Sequence, residues 1–217
     1  MAVMKRLERY EPGGAASDLM NAAEVFGNGF GVLLVVVAVA VLDRVRRVEA
    51  WRLLLCSLGA GVAANVVKLL IPRTRPYATE LADVGVAETF LAWVPILERG
   101  SSVQSFPSAH TATAAGLAFG LAAMYPHGRK FFYALIAGVA MQRMIEGFHY
   151  PSDVLVGGTL GASWARLCQP NRLVGRWYEV AVRWSQHRWR PAPGIAVFQP
   201  EETGDSAGDR KSGRQAA

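Results

Sequence analysis

The chain has 217 residues, of which 52% are hydrophobic and only 18% are charged, against roughly 25% charged residues in an ordinary soluble domain. Its 23 Lys and Arg residues exceed its 17 Asp and Glu residues, which gives a net charge of +6. This composition excludes a soluble acidic enzyme and a disordered chain. The excess of basic residues suits either a membrane protein or a nucleic-acid-binding protein. The positions of the lysines and arginines along the chain distinguish these two classes.

Segments with few or no charges predict five membrane-spanning helices. Residues 26–42 contain no charge, and residues 51–71 are apolar except near their ends. At about 1.5 Å per residue, each segment approaches the roughly 30 Å core of a bilayer. Three weaker segments, at residues 108–125, 131–148 and 154–168, are rich in Ala and Gly, which let membrane helices pack closely. We therefore predict an all-α membrane bundle with five to six membrane-embedded helices.

Buried helices of a globular enzyme are the alternative interpretation of these segments. An amphipathic helix of a globular protein shows a polar face at helical spacing. The first two segments lack such a face, so the membrane interpretation is preferred.

The rest of the chain predicts three further regions around a transmembrane domain at residues 26–170. Residues 1–25 are expected to form an interfacial segment and not a cleavable signal peptide, because no apolar run follows their basic residues. Residues 171–190 place apolar and aromatic side chains at helical spacing among arginines, which predicts an amphipathic helix on the membrane surface. Residues 191–217 are polar and are predicted to be a disordered cytoplasmic tail.

Lysines and arginines concentrate in the regions that five spans place on one side of the membrane. These regions follow the first, third and fifth spans, and the positive-inside rule assigns them to the cytoplasm. The connection of residues 72–107, with slightly more acidic than basic residues, then lies outside. We therefore expect a multi-pass protein of the cell membrane with a cytoplasmic C-terminus and with no nucleic-acid partner.

Three groups of polar residues stand at the ends of the predicted spans, where charged side chains are costly. With the predicted topology, all three groups lie at the outer membrane face and are expected to form one site. Their members are Lys68 and Arg75 in the first group, Ser108, Ala109 and His110 in the second, and Arg143, His149 and Asp153 in the third.

The residue types in these groups suit phosphate binding. Lys68, Arg75 and Arg143 supply three positive charges, and guanidinium groups can make paired contacts with phosphate oxygens. Ser108 occupies the position of a helix N-cap, so the free backbone N–H groups that follow it, including that of Ala109, form an anion site.

The histidines and the aspartate suit phosphate-ester hydrolysis without a metal or another cofactor. His149 lies four residues before Asp153. At that spacing a carboxylate can accept one ring N–H and leave the other ring nitrogen as a nucleophile. His110, on a different helix, is then available as the general acid that protonates the leaving oxygen.

The three groups closely resemble the signature of the type 2 phosphatidic acid phosphatase and vanadium haloperoxidase superfamily. That signature reads Lys-x6-Arg-Pro, Pro-Ser-Gly-His and Ser-Arg-x5-His-x3-Asp, and its order and spacing match between residues 68 and 153. The resemblance implies a helical bundle, commonly of six membrane helices, with its site near the outer face. It also implies that His149 forms a phosphohistidine, that His110 is the acid and that Asp153 orients the nucleophile. The implied phosphate ligands are Lys68, Arg75, Ser108, Ala109 and Arg143.

Two positions depart from the family signature. Ala109 stands where Gly is usual, and Gln142 stands where Ser is usual. An alanine amide still donates a hydrogen bond. The longer side chain of Gln142 can bond either a phosphate oxygen or a neighbouring residue.

The sequence thus predicts an integral membrane phosphatase that hydrolyses the terminal phosphate of a lipid phosphate or diphosphate. Candidate substrates are phosphatidate, phosphatidylglycerol phosphate, polyprenyl diphosphates and lipid A phosphates. The reaction class is a metal-independent phosphoric monoester hydrolase, or an acid anhydride hydrolase if the substrate is a diphosphate. A lipid-linked phosphotransferase and a non-catalytic lipid-phosphate-binding protein remain alternatives. A vanadate-dependent haloperoxidase shares the site but is a soluble enzyme, which disagrees with the predicted spans.

Overall fold

A computed structural model describes residues 14–79, 85–91, 100–170 and 172–188. Residues 1–13 of the predicted interfacial segment and the predicted tail at 191–217 lie outside the described residues. The described ranges contain seven α-helices and no strand, which confirms the all-α prediction. The helices are α1 (Ala15–Val25), α2 (Gly29–Leu42), α3 (Arg47–Leu70), α4 (Ala109–Met124), α5 (Arg129–Ile145), α6 (Pro151–Leu167) and α7 (Leu173–Arg188).

Local capping residues set the helix starts close to the predicted boundaries. The Asn28 side chain accepts a hydrogen bond from Gly31 N at 2.8 Å and begins α2. Ser108 caps α4 in the same way, and Pro151 stands at the first turn of α6, where its missing N–H costs nothing. Each of the five predicted apolar segments therefore corresponds to one helix.

Helix α4 forms the centre of the bundle and packs against α3, α5 and α6. Ten of its sixteen residues are buried, and most of them are Ala or Gly. A Cβ at Gly116 would lie 2.2 Å from the Cys56 carbonyl oxygen, and one at Gly157 would lie 2.4 Å from the Ser108 carbonyl oxygen. Since no side chain fits in these gaps, the two glycines allow the helix backbones to approach closely.

Only α3 is long and apolar enough to cross a bilayer as a single helix among the described elements. Helices α1 and α2 meet the same criterion as a pair, but they are bent by 71° at the break between them. Helix α4 is apolar but shorter. The predicted count of five to six membrane-embedded helices therefore stays a prediction.

Helix α7 lies within residues 171–190, for which the sequence predicts an amphipathic helix on the membrane surface. One face docks on the start of α3, where the Tyr178 hydroxyl donates to the Val48 carbonyl at 2.8 Å and Arg52 lies 3.8 Å from Glu179. The other face leaves Trp177 and Trp184 largely exposed. The position of α7 on a membrane surface stays a prediction.

Candidate active site

The fold brings the three sequence groups together at one end of the bundle. Lys68 lies in the last turn of α3, His110 in the first turn of α4 and Arg143 in the last turn of α5. His149 lies in the turn before α6, and Asp153 lies in the first turn of that helix. The predicted cations and the second histidine all lie within electrostatic reach of the His110 imidazole; they are Lys68, Arg75, Arg143 and His149.

The environment of His149 determines which ring nitrogen carries the proton. Its Nδ1 atom lies 2.7 Å from the Ser105 carbonyl oxygen. Because a carbonyl can only accept a hydrogen bond, Nδ1 carries the hydrogen in the neutral ring. The Nε2 atom therefore keeps its lone pair, as a nucleophile requires. Only 2% of His149 is exposed, so the ring is held in one orientation by the surrounding protein.

Asp153 orients this arrangement less directly than the spacing predicted. Its Oδ2 atom lies 3.9 Å from His149 Nδ1, which is beyond hydrogen-bond distance. The carboxylate instead accepts from the Ser105 hydroxyl at 2.5 Å and from the Tyr150 backbone N–H at 2.9 Å. Asp153 thus holds the segment whose carbonyl orients His149, and the predicted direct contact is replaced by one through Ser105.

Arg73 is a site residue that sequence reasoning missed. It is 1% exposed, and its Nη1 atom lies 2.5 Å from Asp153 Oδ1. Its Nε atom donates to the Thr89 hydroxyl at 3.0 Å, and its guanidinium stacks on the Tyr150 ring at 4.0 Å. A buried carboxylate requires a partner charge, and Arg73 supplies it. Arg73 is one of three arginines in the connection of residues 72–107. Nothing in the neighbouring sequence indicates that it would pair with Asp153.

The backbone of Arg73 also ties together the connection between α3 and α4. Its N–H donates to the Val103 carbonyl at 2.9 Å, and its own carbonyl accepts from Ser105 N at 3.0 Å. The segment around Phe90 pairs with it from the other side. These bridges place Ser105 beside His149, and a further bond from Arg75 N to the Ser102 carbonyl at 2.7 Å holds Arg75 in the same connection.

Neighbouring rings and acceptors hold the cations that the sequence predicts to bind phosphate. The Phe148 ring contacts two guanidinium groups, with Arg75 at 5.2 Å and Arg143 at 5.0 Å from its ring centroid. The Nε atom of Arg75 is buried and has no hydrogen-bond partner among the described residues. A buried donor without an acceptor is costly, so this atom is ready for an anionic ligand.

The start of α4 offers the predicted backbone donors. Ser108 is fully buried, and its hydroxyl oxygen accepts from the Thr111 hydroxyl at 3.0 Å. The first N–H groups of a helix have no acceptor within it. Those of Ala109 and His110 are therefore available at the end of α4 where the histidines meet.

The N-terminal helix α1 contributes a carboxylate that the sequence did not associate with the site. Glu24 Oε1 lies 2.8 Å from Arg143 Nη2 and 3.9 Å from His110 Nε2. Its other oxygen accepts from Gln142 Nε2 at 3.2 Å. Gln142 in turn accepts from Arg143 Nε at 2.5 Å. The residue that departs from the family signature thus bonds two neighbours.

Glu146 is the second carboxylate at Arg143. Its Oε2 atom lies 3.0 Å from Arg143 Nη2. Within the described ranges, no three His, Cys, Asp or Glu side chains are arranged to hold a metal ion. The predicted absence of a metal and of other cofactors stays a prediction.

The pH dependence of activity follows from the burial of His149. Burial lowers the pKa of His149 below its ordinary value of 6.5 and outweighs the opposing effect of Asp153. The neutral ring, which is the nucleophilic form, therefore persists as the pH falls through 6.5 and is lost only at lower pH. We expect the acid limb of kcat/KM to have its midpoint below pH 6.5. A nitrogen NMR titration assigned with His149→Gln would check this, and a midpoint at or above 6.5 would contradict it.

Comparisons with known proteins connect the chain to lipid phosphatases. A family model described as the PAP2 superfamily matches residues 49–173. A lipid A 1-phosphatase from Rhizobium johnstonii is 34% identical over 103 residues, which are 48% of this chain and 39% of that protein. A decaprenylphosphoryl-5-phosphoribose phosphatase from Mycobacterium tuberculosis is 37% identical over 123 residues, which are 54% of this chain and 59% of that protein. The matches thus span from about two fifths to three fifths of these relatives.

A solved structure shares the fold. The crystal structure of Aquifex aeolicus LpxE superposes with a TM-score of 0.57 at 21% sequence identity, covering 76% of this chain and 90% of that chain. At this identity the likeness concerns the arrangement of the helices.

Proposed function

The chain belongs to the PAP2 superfamily, and from this premise we propose that it is a lipid phosphatase that removes the terminal phosphate of a lipid phosphate or diphosphate. The observation that carries the proposal is the state of His149, whose Nδ1–H is committed to the Ser105 carbonyl. Its Nε2 lone pair is thereby available among three cations. The names of two relatives, which are phosphatases of lipid-linked substrates, support a lipid substrate.

The first chemical step transfers the phosphoryl group to the protein. His149 Nε2 attacks phosphorus, a P–N bond forms, and the P–O bond to the lipid breaks. His110 donates a proton to the departing oxygen, so the lipid leaves as an alcohol, or as a phosphate when the substrate is a diphosphate. Lys68, Arg75 and Arg143 stabilise the charge on the phosphoryl oxygens.

The second step restores the free enzyme. A water molecule attacks the phosphohistidine, the P–N bond breaks, and inorganic phosphate leaves. His110, now neutral, accepts the proton from the attacking water. Ser108 and the backbone amide of Ala109 bind phosphoryl oxygens at the start of α4 in both steps. In the phosphohistidine formed between the two steps, the His149 ring is positively charged, and the Asp153 carboxylate at 3.9 Å stabilises that charge.

The surface of the bundle supports a position in the cell membrane. Large apolar side chains on the outer faces of the helices are exposed, including Phe30 at 74%, Leu69 at 66% and Leu155 at 70%. Soluble monomers rarely expose large contiguous apolar surfaces, whereas lipid-facing helices do. We place the site at the outer leaflet and the C-terminus in the cytoplasm, because that orientation follows the positive-inside rule.

Cysteine labelling tests this topology. The native Cys56 and Cys168 are buried, so only an introduced cysteine should react with the label. Ser101 on the outer connection and His127 on the predicted cytoplasmic turn are both exposed. We expect a membrane-impermeant maleimide to label Ser101→Cys in intact cells and to label His127→Cys only after lysis. The reverse pattern, or equal labelling in intact cells, would contradict the orientation.

Phosphate release tests the function. The purified protein in mixed micelles would receive phosphatidate, phosphatidylglycerol phosphate, a polyprenyl diphosphate and lipid A, and inorganic phosphate would be measured. We expect release from at least one of these lipids. Mass spectrometry of the products with added alcohols distinguishes hydrolysis from transfer to an acceptor. Binding of these lipids without either product would instead indicate a non-catalytic lipid-phosphate-binding protein.

A further inference from the structure

Glu24 introduces a negative charge on the side of the site where the leaving group departs. Its Oε1 atom lies 3.9 Å from Nε2 of His110, the group that protonates the leaving oxygen in the proposed reaction. Any leaving group within reach of His110 therefore also lies close to a carboxylate. The side chain of Glu24 is about one-third exposed at 31% and that of His110 is 38% exposed, so both groups are accessible from outside the protein.

Two hydrogen bonds and the packing of α1 fix the carboxylate at this place. Arg143 Nη2 donates to it at 2.8 Å, and Gln142 Nε2 donates to it at 3.2 Å. Helix α1 packs against α5, the helix that carries both donors. Glu24 is thus held by the helix that also carries a phosphate-binding arginine.

The arrangement leaves Arg143 able to bind phosphate while Glu24 stays in place. Its Nη2 atom contacts Glu24 and Glu146, and its Nε atom donates to Gln142. Among the described residues the Nη1 atom has no hydrogen-bond partner, so it is left for a phosphoryl oxygen. Substrate phosphate therefore need not displace Glu24, and both negative groups can be present in one complex.

We propose that Glu24 is a specificity-determining residue that selects phosphomonoester lipids over lipid diphosphates; this inference rests on the proposed function. The leaving group of a diphosphate is itself a phosphate, and its negative charge is repelled by the carboxylate beside His110. The leaving group of a sugar or glycerol phosphate is an alcohol, and its neighbouring hydroxyl groups can donate hydrogen bonds to the same carboxylate. Rejection of a competitor by a fixed like charge is a common basis of specificity.

Glu146 provides a matched control for this charge. It also contacts Arg143 Nη2, at 3.0 Å, and its exposure of 38% is close to that of Glu24. Among the described residues, Glu24 contacts both Arg143 and His110, whereas Glu146 forms an ion pair with Arg143. Glu24→Gln and Glu146→Gln therefore remove the same charge from Arg143, and only the first removes it from the leaving-group side.

Binding of two hydrolysis-resistant phosphonates tests the inference without turnover. Methylphosphonate represents a monoester and methylenediphosphonate a diphosphate, and calorimetry would give both dissociation constants. We expect Glu24→Gln to shift the preference by about tenfold toward methylenediphosphonate. Glu146→Gln should tighten both ligands to a similar extent, and Glu24→Asp should keep a preference close to that of the wild type. An unchanged ratio in Glu24→Gln, or the same shift in Glu146→Gln, would overturn the inference.

Turnover separates this inference from the proposed function. We expect the ratio of kcat/KM for farnesyl diphosphate to that for phosphatidate to rise about tenfold in Glu24→Gln, mainly through KM, since the charge acts on binding. If the wild type released phosphate from no lipid, the proposed function would fail, and the phosphonate ratio would still decide the role of Glu24. An active wild type with an unchanged ratio in the variant would overturn the role of Glu24 alone.

Discussion

Replacing His149 by alanine is expected to lower kcat/KM by at least about 10³-fold, because the proposed reaction passes through a bond to its Nε2 atom. The cations around the phosphate would remain, so substrate binding should persist while the chemical step is lost. Phosphate release from the lipid that the wild type hydrolyses best would measure the effect. A variant that keeps more than about a tenth of the wild-type rate would contradict the proposed nucleophile.

Two further variants separate the loss of the nucleophile from damage to the fold. His149→Gln keeps an N–H that can donate to the Ser105 carbonyl, the bond made by Nδ1 at 2.7 Å, but it has no nucleophilic nitrogen. It should be as inactive as His149→Ala. His127→Ala removes an exposed histidine in the turn between α4 and α5 and should leave the rate unchanged. The proposed phosphohistidine has a P–N bond that is stable in base and labile in acid. A covalently bound phosphoryl group with these properties should form on the wild-type protein during turnover and be missing from both His149 variants.

Replacing Arg73 by methionine is expected to lower the free energy of unfolding by about 3–5 kcal/mol, the usual cost of leaving a buried charge without its partner. Asp153 is fully buried, and Arg73 is its charged partner at 2.5 Å. Methionine keeps much of the side-chain volume, so the decrease in the free energy of unfolding measures mainly the effect of removing the charge. Equilibrium unfolding in detergent micelles would measure it.

The double variant Arg73→Met/Asp153→Asn shows whether the loss of stability comes from breaking the charge pair. Removing both charges leaves neither member of this pair buried without its partner, so the cost of the double variant should be well below the sum of the two single costs. Arg44→Met, at an exposed arginine, should change stability by less than about 0.5 kcal/mol. Additive losses in the double variant would show that Arg73 stabilises the fold through its contacts with Tyr150 and Thr89 instead.

The family signature predicted which residues meet at the site, but not how they are connected. The spacing of His149 and Asp153 indicated a direct hydrogen bond, and the structure places Ser105 between them. The reason is that Arg73 and the Tyr150 N–H draw the carboxylate toward themselves. A four-residue spacing brings two side chains to one face of a helix, but here His149 precedes the helix, where the backbone follows another path.

The departure at Gln142 is explained by a contact between distant parts of the chain. A serine at this position would be too short to reach both Arg143 and Glu24. Gln142 and Glu24 lie 118 positions apart in the chain, and residues 15–25 were predicted only to lie at the membrane interface. No local pattern distinguishes Glu24 from other acidic residues of an amphipathic helix, so its place in the site required the packing of α1 on α5.

The sequence by itself determined the helices, because apolar runs, helix caps and small residues are local properties that each segment carries in its own residues. It also determined the set of cations, histidines and aspartate, because their spacing within each group is part of the family signature. Only the tertiary structure decided the partners of that set, among them Arg73 for Asp153, Ser105 for His149 and Glu24 for Arg143. Hydrogen bonds and ion pairs depend on distances of a few ångströms between segments far apart in the chain. The paths of the connecting segments and the packing of α1 set those distances.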